Sequence, residues 1–271
     1  MPADTSAPAA TCAGVVKIYW SDSGEVHALK GVDAAFPRGL VTAVVGPSGS
    51  GKSSLLRLLA GLDAPTAGRV RIGDVDLGGL SPRRRREVRR RHVGFVFQEP
   101  ADNLLPYLTA EEQVRAAARL RGTTADTAVL LDSLGLGHRA TSRAGELSGG
   151  EQQRLAFAAA VAGGPELVIA DEPTAELDSR SAEAVMEAVR HLRDRGTAVV
   201  VSTHDPVVMA AADRTLFLRH GAVEAESTAG TALAVVDAFG RVQLPEDALA
   251  LFPERRAIVR IEDDEVRITP P

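Results

Sequence analysis

The sequence predicts an α/β protein in which helices cover a mainly parallel β-sheet. Continuous apolar runs typical of buried strands occur at LVTAVVG (40–46), ELVIADE (166–172) and TAVVVSTH (197–204). Segments with a helical apolar face lie between them, such as KSSLLRLLAGL after the first run and SRSAEAVMEAVRHLRDRG (179–196) before the third. Strand and helix alternating at this spacing indicate parallel strands joined by helical crossovers.

Size and composition set the bounds of this interpretation. The chain has 271 residues, of which 45% are hydrophobic, enough for one large domain with a small appendage. A net charge of -5 gives no electrostatic reason to expect nucleic acid as the main partner. Cys12 is the single cysteine, which excludes an internal disulfide and permits a reducing cytosol.

The opening MPADTSAPAA has no continuous apolar core, so we expect residues 1–11 to form a disordered lead and not a secretory signal. No stretch reaches the roughly 18–20 apolar residues that a membrane-spanning helix needs. Any role at a membrane is therefore expected from outside the bilayer.

Further elements are predicted on either side of the parallel strands. GVVKIYW (14–20) and VHALKGVDAAF (26–36) are typical of an antiparallel pair around a turn at Ser21 to Gly24. GRVRIG (68–73) and VGFVF (93–97) predict two more strands, with a polar helix at SPRRRREVRRR (81–91) between them. The antiparallel pair predicts a β subdomain in addition to the parallel sheet.

Two regions depart from the strand and helix alternation. From about residue 104 to 146 the pattern is helical and alanine-rich without a strand signal, which predicts a helical subdomain. Residues 225–271 hold short alternating segments and predict a small C-terminal β appendage. We therefore assign residues 12–224 to the main domain.

The stretch GPSGSGKSS follows the first predicted buried strand and precedes a helix. It matches the phosphate-binding pattern G-x-x-x-x-G-K-[ST], in the structural context that this pattern requires. Glycines let the backbone wrap round phosphates, Lys52 supplies a compact charge, and Ser53 a hydroxyl ligand for Mg²⁺. The alternative is an ordinary glycine-rich turn. The predicted loop comprises Gly46, Pro47, Ser48, Gly49, Ser50, Gly51, Lys52, Ser53 and Ser54.

Two carboxylates, Asp171 and Glu172, stand at the end of the buried strand VIADE. Adjacent acids repel each other unless they serve different purposes. Asp171 can hold Mg²⁺ through water, while Glu172 can orient and polarise an attacking water in phosphoryl transfer. The alternative is a strand end with two solvated acids.

Two further polar residues end predicted strands: Gln98 after VGFVF and His204 after TAVVVST. In open α/β sheets the carboxyl ends of the strands face the ligand crevice. A lone histidine or glutamine is more often structural, but the shared placement with Gly46 and Glu172 makes both candidates for a catalytic site.

LSGGEQQR (147–154) is a second candidate anion site. Ser148, Gly149 and Gly150 precede a predicted helix, whose first N–H groups and positive dipole end suit an anion. No second set of hydrolytic residues accompanies it.

Taken in order, these motifs resemble the nucleotide-binding subunit of an ATP-binding-cassette (ABC) transporter, a P-loop NTPase, over about residues 12–224. The LSGG signature is specific, because P-loop GTPases and helicases lack it. NLLPYLTAEEQV and HALKGVDAAF resemble the branch that works in lipoprotein release, macrolide export and cell-division complexes. Two positions differ from the family pattern: Glu176 precedes LD where a small residue is common, and Ala159 stands where arginine is usual.

The resemblance implies a role for each matching position. Tyr19, with Trp20 as the alternative, would stack on adenine. Gln98 would sense Mg²⁺ and the γ-phosphate and would lie near the docking surface for membrane partners. His204 would contact the γ-phosphate and the attacking water. The implied metal ligands are Ser53, Gln98 and Asp171, and the implied catalytic residues are Glu172, His204, Gln98 and Lys52.

The signature would act on a second copy of the chain. Ser148, Gly149 and Gly150 would bind the γ-phosphate of ATP held by the other subunit, and Asp178 would link the two sites. The resemblance thus implies a Mg²⁺-dependent ATPase at the cytoplasmic face of the membrane, dimerising head to tail to power separate integral-membrane permease subunits. The alternative is a soluble ABC ATPase that regulates a membrane or nucleic-acid complex without transport.

Two features lie outside these roles. The arginine run at 83–91 suits either a phosphate-rich partner or a solvated helix face. The tail VVDAFGRVQLPEDALALFPERRAIVRIEDDEVRITPP resembles the swapped-hairpin half-barrel of AbrB-like regulators, which implies a dimerising element, and the alternative is an ordinary strand-rich tail. EDDE (262–265) argues against DNA binding by this tail.

Overall fold

A computed structural model describes residues 7–21, 24–175, 177–228, 231–234, 251–252, 256–262 and 265–270. Its strands are β1 Ala10–Ser21, β2 Gly24–Phe36, β3 Val41–Val45, β4 Ala67–Ile72, β5 Val75–Asp76, β6 Val93–Val96, β7 Leu167–Asp171, β8 Ala198–Ser202, β9 Arg214–Arg219, β10 Ala222–Thr228, β11 Thr231–Ala234, β12 Ile258–Glu262 and β13 Glu265–Thr269. Its α-helices are α1 Lys52–Leu59, α2 Pro82–His92, α3 Ala110–Arg121, α4 Thr127–Ser133, α5 Gly149–Val161, α6 Ser179–Asp194 and α7 Pro206–Ala210.

The central sheet has seven strands in the order β11-β10-β9-β3-β8-β7-β6. The five strands from β9 to β6 are parallel, and β10 and β11 add an antiparallel edge. A second, four-stranded antiparallel sheet has the order β2-β1-β4-β5. The predicted α/β class with an antiparallel β subdomain is confirmed.

The apolar runs of the sequence form the strands because both faces of the central sheet are covered. Every residue of β3 and β8 is buried. Val199 and Val201 belong to the core cluster with α3, α5 and α6, whereas Ala198 and Val200 belong to the cluster with α1 and the second sheet. Strand side chains alternate between faces, so a strand covered on both sides is apolar throughout.

The first strand begins before the expected end of the lead. Residues 1–6 lie outside the described part of the chain, but Ala9 and Ala10 are buried, and the Ala9 N–H donates to the Phe36 carbonyl at 2.9 Å. β1 therefore starts inside the 1–11 segment that we expected to be disordered.

The region between residues 104 and 146 contains α3, α4 and two short 3-10 helices at Gly137–Arg139 and Ala144–Glu146. Thr109 and Glu112 form a reciprocal capping box at the start of α3, and Asp126 caps α4. These local signals explain why the helices begin where they do.

β9, β10 and β11 have no counterpart among the strands predicted from the sequence. β9 and β10 form a hairpin whose turn residues, His220 and Gly221, have φ values of 51° and 83°. β10 crosses residue 224, the expected end of the main domain, and β11 continues the central sheet to Ala234. Within the predicted C-terminal β appendage, β12 and β13 form an antiparallel hairpin. Residues 235–250 of the proposed swapped hairpin lie outside the described residues.

Arg121, the last residue of α3, ties the helical region to the sheet. Its guanidinium donates to the carbonyls of Ala162 at 2.6 Å, Ala160 at 2.7 Å and Val93 at 3.0 Å. Burial of the guanidinium lowers the pKa of Arg121 to about 10, so the group stays charged at neutral pH. The charge lies at the C-terminal end of α5, where the helix dipole favours a cation.

Replacing Arg121 with Met should lower the free energy of unfolding by about 2–4 kcal/mol, because three carbonyls lose a charged donor. Urea denaturation followed by circular dichroism measures the change. Arg119→Met is the matched control, because Arg119 is exposed on the same helix. Equal midpoints for the two variants would contradict a structural role for Arg121.

Candidate nucleotide-binding site

The loop from Gly46 to Ser54 connects β3 to α1 and depends on glycine at two close approaches. A Cβ atom on Gly46 would lie 2.0 Å from the carbonyl oxygen of Leu218. A Cβ atom on Gly51, whose φ is 106°, would lie 2.5 Å from the carbonyl oxygen of Ala28. The loop is therefore held against β2 and β9 in a shape that other residues cannot adopt.

The N-terminus of α1 is open towards this loop. Gly51 caps the helix without a side chain, and its first turn contains no acidic residue. The Lys52 ammonium donates to the carbonyls of Gly46 at 2.7 Å and Pro47 at 3.2 Å, so its charge lies over the loop. The hydroxyl of Ser50 is buried and has no hydrogen-bond partner among the described residues. The free backbone N–H groups at the start of α1 and the Lys52 ammonium can together bind an anion.

A serine of β8 holds Asp171, the last residue of β7, and the backbone of Glu172, the next residue. The Ser202 hydroxyl donates to Asp171 Oδ1. The Glu172 N–H donates to both the carbonyl and the hydroxyl oxygen of Ser202, each at 3.1 Å. Glu172 has a φ of 48°, the left-handed region that non-glycine residues rarely adopt. This backbone turn makes the side chains of Asp171 and Glu172 point in different directions.

Glu172 and His204 are in direct contact. Glu172 Oε2 lies 3.0 Å from His204 Nδ1, and the imidazole is largely exposed while the carboxylate is mostly buried. Both line a concavity of about 310 Å³ between the ends of β7 and β8, together with Thr174, Ala175, Thr203, Asp205 and Pro206. The imidazole can hold the carboxylate in place and still reach a ligand.

The signature segment begins α5. The Ser148 side chain accepts from the Glu151 N–H, and the Glu151 carboxylate accepts from the Ser148 N–H at 2.8 Å and its hydroxyl at 2.9 Å. The pKa of Glu151 is lowered to about 2, mainly by the hydrogen bond from the Ser148 backbone N–H. Hydrogen bonds from the Ser148 hydroxyl and from Arg139 lower it further. Glu151 is therefore ionised at neutral pH and fixes the start of the helix.

The signature faces the segments after Gln98 and Glu172 of its own chain. A cavity of about 290 Å³ lies between them, lined by Gln98, Glu99, Pro100, Ala101, Gly149, Gly150, Gln152, Gln153, Ala175 and Leu177. Asn103 shapes this wall, because its side chain donates to the Phe95 carbonyl and accepts from the Phe97 N–H. Residues 46–54 are not among the lining residues of this cavity.

Asp178 is joined to the signature helix through one intermediate residue. It caps α6, accepting from the Ser181 N–H at 2.9 Å and the Ser181 hydroxyl at 2.8 Å. These bonds hold the pKa of the Asp178 carboxyl below its usual range. Arg154 in turn donates to the Ser181 hydroxyl. The signature and the Asp178 segment are thus fixed to each other.

The two aromatic candidates on β1 differ in their surroundings. The Tyr19 hydroxyl donates to Asp63 Oδ2 at 3.2 Å, and the Lys17 ammonium lies 4.7 Å from its ring centroid. Trp20, next along the strand, is 75% exposed. Tyr19 is therefore a fixed ring with one face covered by Lys17.

Three residues of this site escaped the sequence analysis. Ser202 binds the Asp171 carboxylate and the Glu172 backbone N–H, and Arg154 and Ser181 connect the signature to Asp178. A serine at the end of an apolar strand was the available signal for Ser202. No comparable signal marks Ser181, whose role depends on contacts made after folding.

The predicted metal ligands supply oxygen atoms on separate elements. Ser53 is exposed in the first turn of α1, Asp171 ends β7, and Gln98 follows β6. Within the described ranges no group of three or more His, Cys, Asp or Glu side chains could hold a metal ion. A hydroxyl, an amide and one carboxylate fit Mg²⁺ that is held largely by phosphate oxygens.

Known proteins that are similar to this chain fall into one family. The profile described as "ABC transporter" matches residues 29–175. Over 221 residues the chain is 42% identical to the lipoprotein-releasing system ATP-binding protein LolD of Shewanella oneidensis, covering 79% of this chain and 95% of that protein. Over 214 residues it is 40% identical to the macrolide export ATP-binding/permease protein MacB of Salmonella typhimurium, covering 77% of this chain and 33% of that protein.

Solved structures give the same result. The dimeric post-hydrolysis state of the ATP-binding cassette MJ0796, bound to ADP and Pi, superimposes with a TM-score of 0.76 at 35% identity, covering 81% of this chain and 98% of that chain. No helix within the described ranges has the length and apolar character needed to cross a bilayer. From its family profile, its relatives and its fold, the chain belongs to the ABC transporter family.

Proposed function

We propose that two copies of this chain bind and hydrolyse ATP between them and thereby drive a separate membrane permease. The observation that carries the proposal is that the signature and the phosphate loop of one chain do not line the same cavity: residues 46–54 are absent from the cavity at Gly149 and Gly150. A second copy can bring its signature to the first copy's loop. The dimeric cassette MJ0796 and the relatives in lipoprotein release and macrolide export support this assignment.

In the proposed site the loop holds the phosphates and β7 supplies the base. The free N–H groups of α1 and the Lys52 ammonium bind phosphate oxygens. Ser53, Asp171 and Gln98 would hold Mg²⁺, which when bound neutralises charge that develops on the phosphates. Glu172 orients and polarises the attacking water, and His204, 3.0 Å from Glu172, holds the carboxylate and the terminal phosphate.

The second copy completes each site. Ser148, Gly149 and Gly150 present the N-terminus of α5 to the γ-phosphate of ATP bound by the other chain. Closure excludes water and brings the last ligands into place. Because Arg154 and Ser181 join the signature to Asp178, closure at one site repositions the segment that follows Glu172.

The permease would dock beside Gln98. Leu105 and Tyr107 follow this residue closely and are exposed apolar side chains, Tyr107 at 66%. Such side chains at the start of the helical region suit an apolar partner surface. The protein would thus lie peripherally at the cytoplasmic face of the membrane. The relatives in lipoprotein release and macrolide export favour an exporter or a mechanotransmission complex.

Replacing Glu172 with Gln should lower kcat for ATP hydrolysis by roughly a hundredfold or more, because the general base is lost. ATP binding should persist, and a closed dimer should accumulate with ATP on size-exclusion chromatography. Glu187→Gln, at an exposed carboxylate of α6, is the control and should hydrolyse ATP normally. Normal hydrolysis by the Glu172 variant would refute the assignment of the base.

Replacing Ser148 with Arg should abolish ATP-dependent dimerisation and reduce turnover by about a hundredfold or more. The added side chain blocks the surface that meets the other copy. The Kd for ATP of the monomer should remain near the wild-type value, because the phosphate loop is untouched. Ser133→Arg, at an exposed site of α4, is the matched control. Loss of ATP binding by the Ser148 variant would contradict the two-copy arrangement.

Replacing Tyr19 with Ala should raise the Kd for ATP roughly tenfold, because stacking on a base typically contributes about 1–3 kcal/mol. Tyr19→Phe keeps the ring, loses the bond to Asp63 and should bind nearly normally. Fluorescence titration with a labelled ATP analogue measures both. If Trp20→Ala weakens binding and Tyr19→Ala does not, the stacking role belongs to Trp20.

A further inference from the structure

The helix α2 carries an unusual concentration of positive charge. Its eleven residues include seven arginines and one glutamate, in a chain whose net charge is -5. No residue of this helix is buried. The nucleotide site described above uses none of these side chains, so their concentration requires a separate explanation.

Four of the arginines have partners within the fold. Arg84 and Arg91 lie 3.1 and 3.3 Å from the carboxylate of Glu87. Arg89 donates to the Gly61 carbonyl at 3.2 Å, and the stem of Arg85 packs over Gly61. These contacts fix one side of α2 against the end of α1 and satisfy the only acid of the helix.

The remaining three, Arg83, Arg86 and Arg90, form what we call the arginine face. They are exposed and have no ion-pair or hydrogen-bond partner among the described residues. Spacings of three and four residues place them on one side of the helix. With Glu87 they line a surface concavity of about 280 Å³. The face therefore presents three free guanidinium groups around one depression.

The fold itself disfavours this arrangement. The first turn of α2 holds arginines and no acid, although the positive end of the helix dipole favours acids there. Burial, and then the charges of Arg86 and Arg85, lower the pKa of Arg89. The repulsion would be relieved by an external anion, and the depression offers a place for one.

The neighbours of α2 indicate which anion this is. The helix packs against α3 and β6, β6 leads to Gln98, and α3 follows Leu105 and Tyr107, the residues proposed to contact the permease. Guanidinium groups bind phosphate through paired hydrogen bonds. A long nucleic acid would also meet the acidic remainder of the chain, whereas a lipid headgroup meets the face alone.

We propose that the arginine face binds anionic phospholipid headgroups and holds the protein on the membrane surface beside the permease. The location rests on the proposed permease contact, while lipid binding does not depend on ATP hydrolysis. An experiment can therefore contradict the proposed function without contradicting lipid binding, and the reverse.

The test is flotation of the full chain with phosphatidylcholine vesicles that do or do not contain phosphatidylglycerol. Wild-type protein should bind only the anionic vesicles, and binding should weaken as salt is added. The triple variant Arg83→Gln, Arg86→Gln, Arg90→Gln should bind roughly a hundredfold more weakly. It should keep the wild-type ATPase rate without vesicles and should melt no lower than the wild type.

A matched triple variant removes the same charge elsewhere, at the exposed Arg57, Arg69 and Arg119, and should bind the vesicles like the wild type. The proposal would be overturned if both triple variants lost vesicle binding equally, or if the arginine-face variant bound anionic vesicles as tightly as the wild type. It would also be overturned if the wild type did not bind anionic vesicles. Arginine-dependent binding to duplex DNA or poly-glutamate without binding to anionic vesicles would overturn it too. If Glu172→Gln loses ATPase activity but still binds anionic vesicles, lipid binding by the arginine face is supported independently of ATP hydrolysis.

Discussion

The register of three parallel strands is the constraint on which the site depends. Ser202 of β8 pairs with Val44 of β3 on one side and with Asp171 of β7 on the other. Val44 lies two residues before Gly46, and Asp171 lies one residue before Glu172. The phosphate loop and the base therefore begin at the same edge of the sheet. A register shift of one residue would reverse the faces of the side chains and separate these groups. The full burial of β3 and β8 opposes any such shift, because it would also disrupt both core clusters.

The same chain contains a second rigid unit built around α5. Glu151 fixes the start of the helix, Arg121 binds its C-terminal carbonyls, and Arg154 reaches Ser181 on α6. The signature is therefore connected to the helical region at one end and to the Asp178 segment along its side. These contacts hold the signature in one orientation at the start of α5. A two-copy ATPase needs this property, since each copy must present its signature to a site it does not contain.

Patterns that act over a few residues made much of this predictable. Apolar runs with β-branched residues predicted β3, β7 and β8, and the glycines of the phosphate loop encode its turns directly. The hairpin β9–β10 was missed because its strands mix apolar residues with Arg214, Glu224 and Glu226, which weakens the alternation. The roles of Ser202, Ser181 and Arg121 could not be predicted either, because each depends on a partner 27 or more residues away that is brought near by folding. The main domain was predicted to end at residue 224, before β11, because the sequence contains no local signal that distinguishes an edge strand of the sheet from a separate appendage.

Several departures from local rules lie where external ligands are proposed to bind. Glu172 holds a left-handed backbone conformation that costs a non-glycine residue about 1–2 kcal/mol. Ser50 in the phosphate loop and Gln153 beside the signature keep buried polar atoms without partners among the described residues. Arginines crowd the first turn of α2 where acids would be favourable. Each feature weakens the isolated fold. Such sites persist when a bound group offsets their cost. By this argument α2 is better explained by an anion from outside the chain than by solvation alone, because solvation would not require the helix to retain three free guanidinium groups on one face.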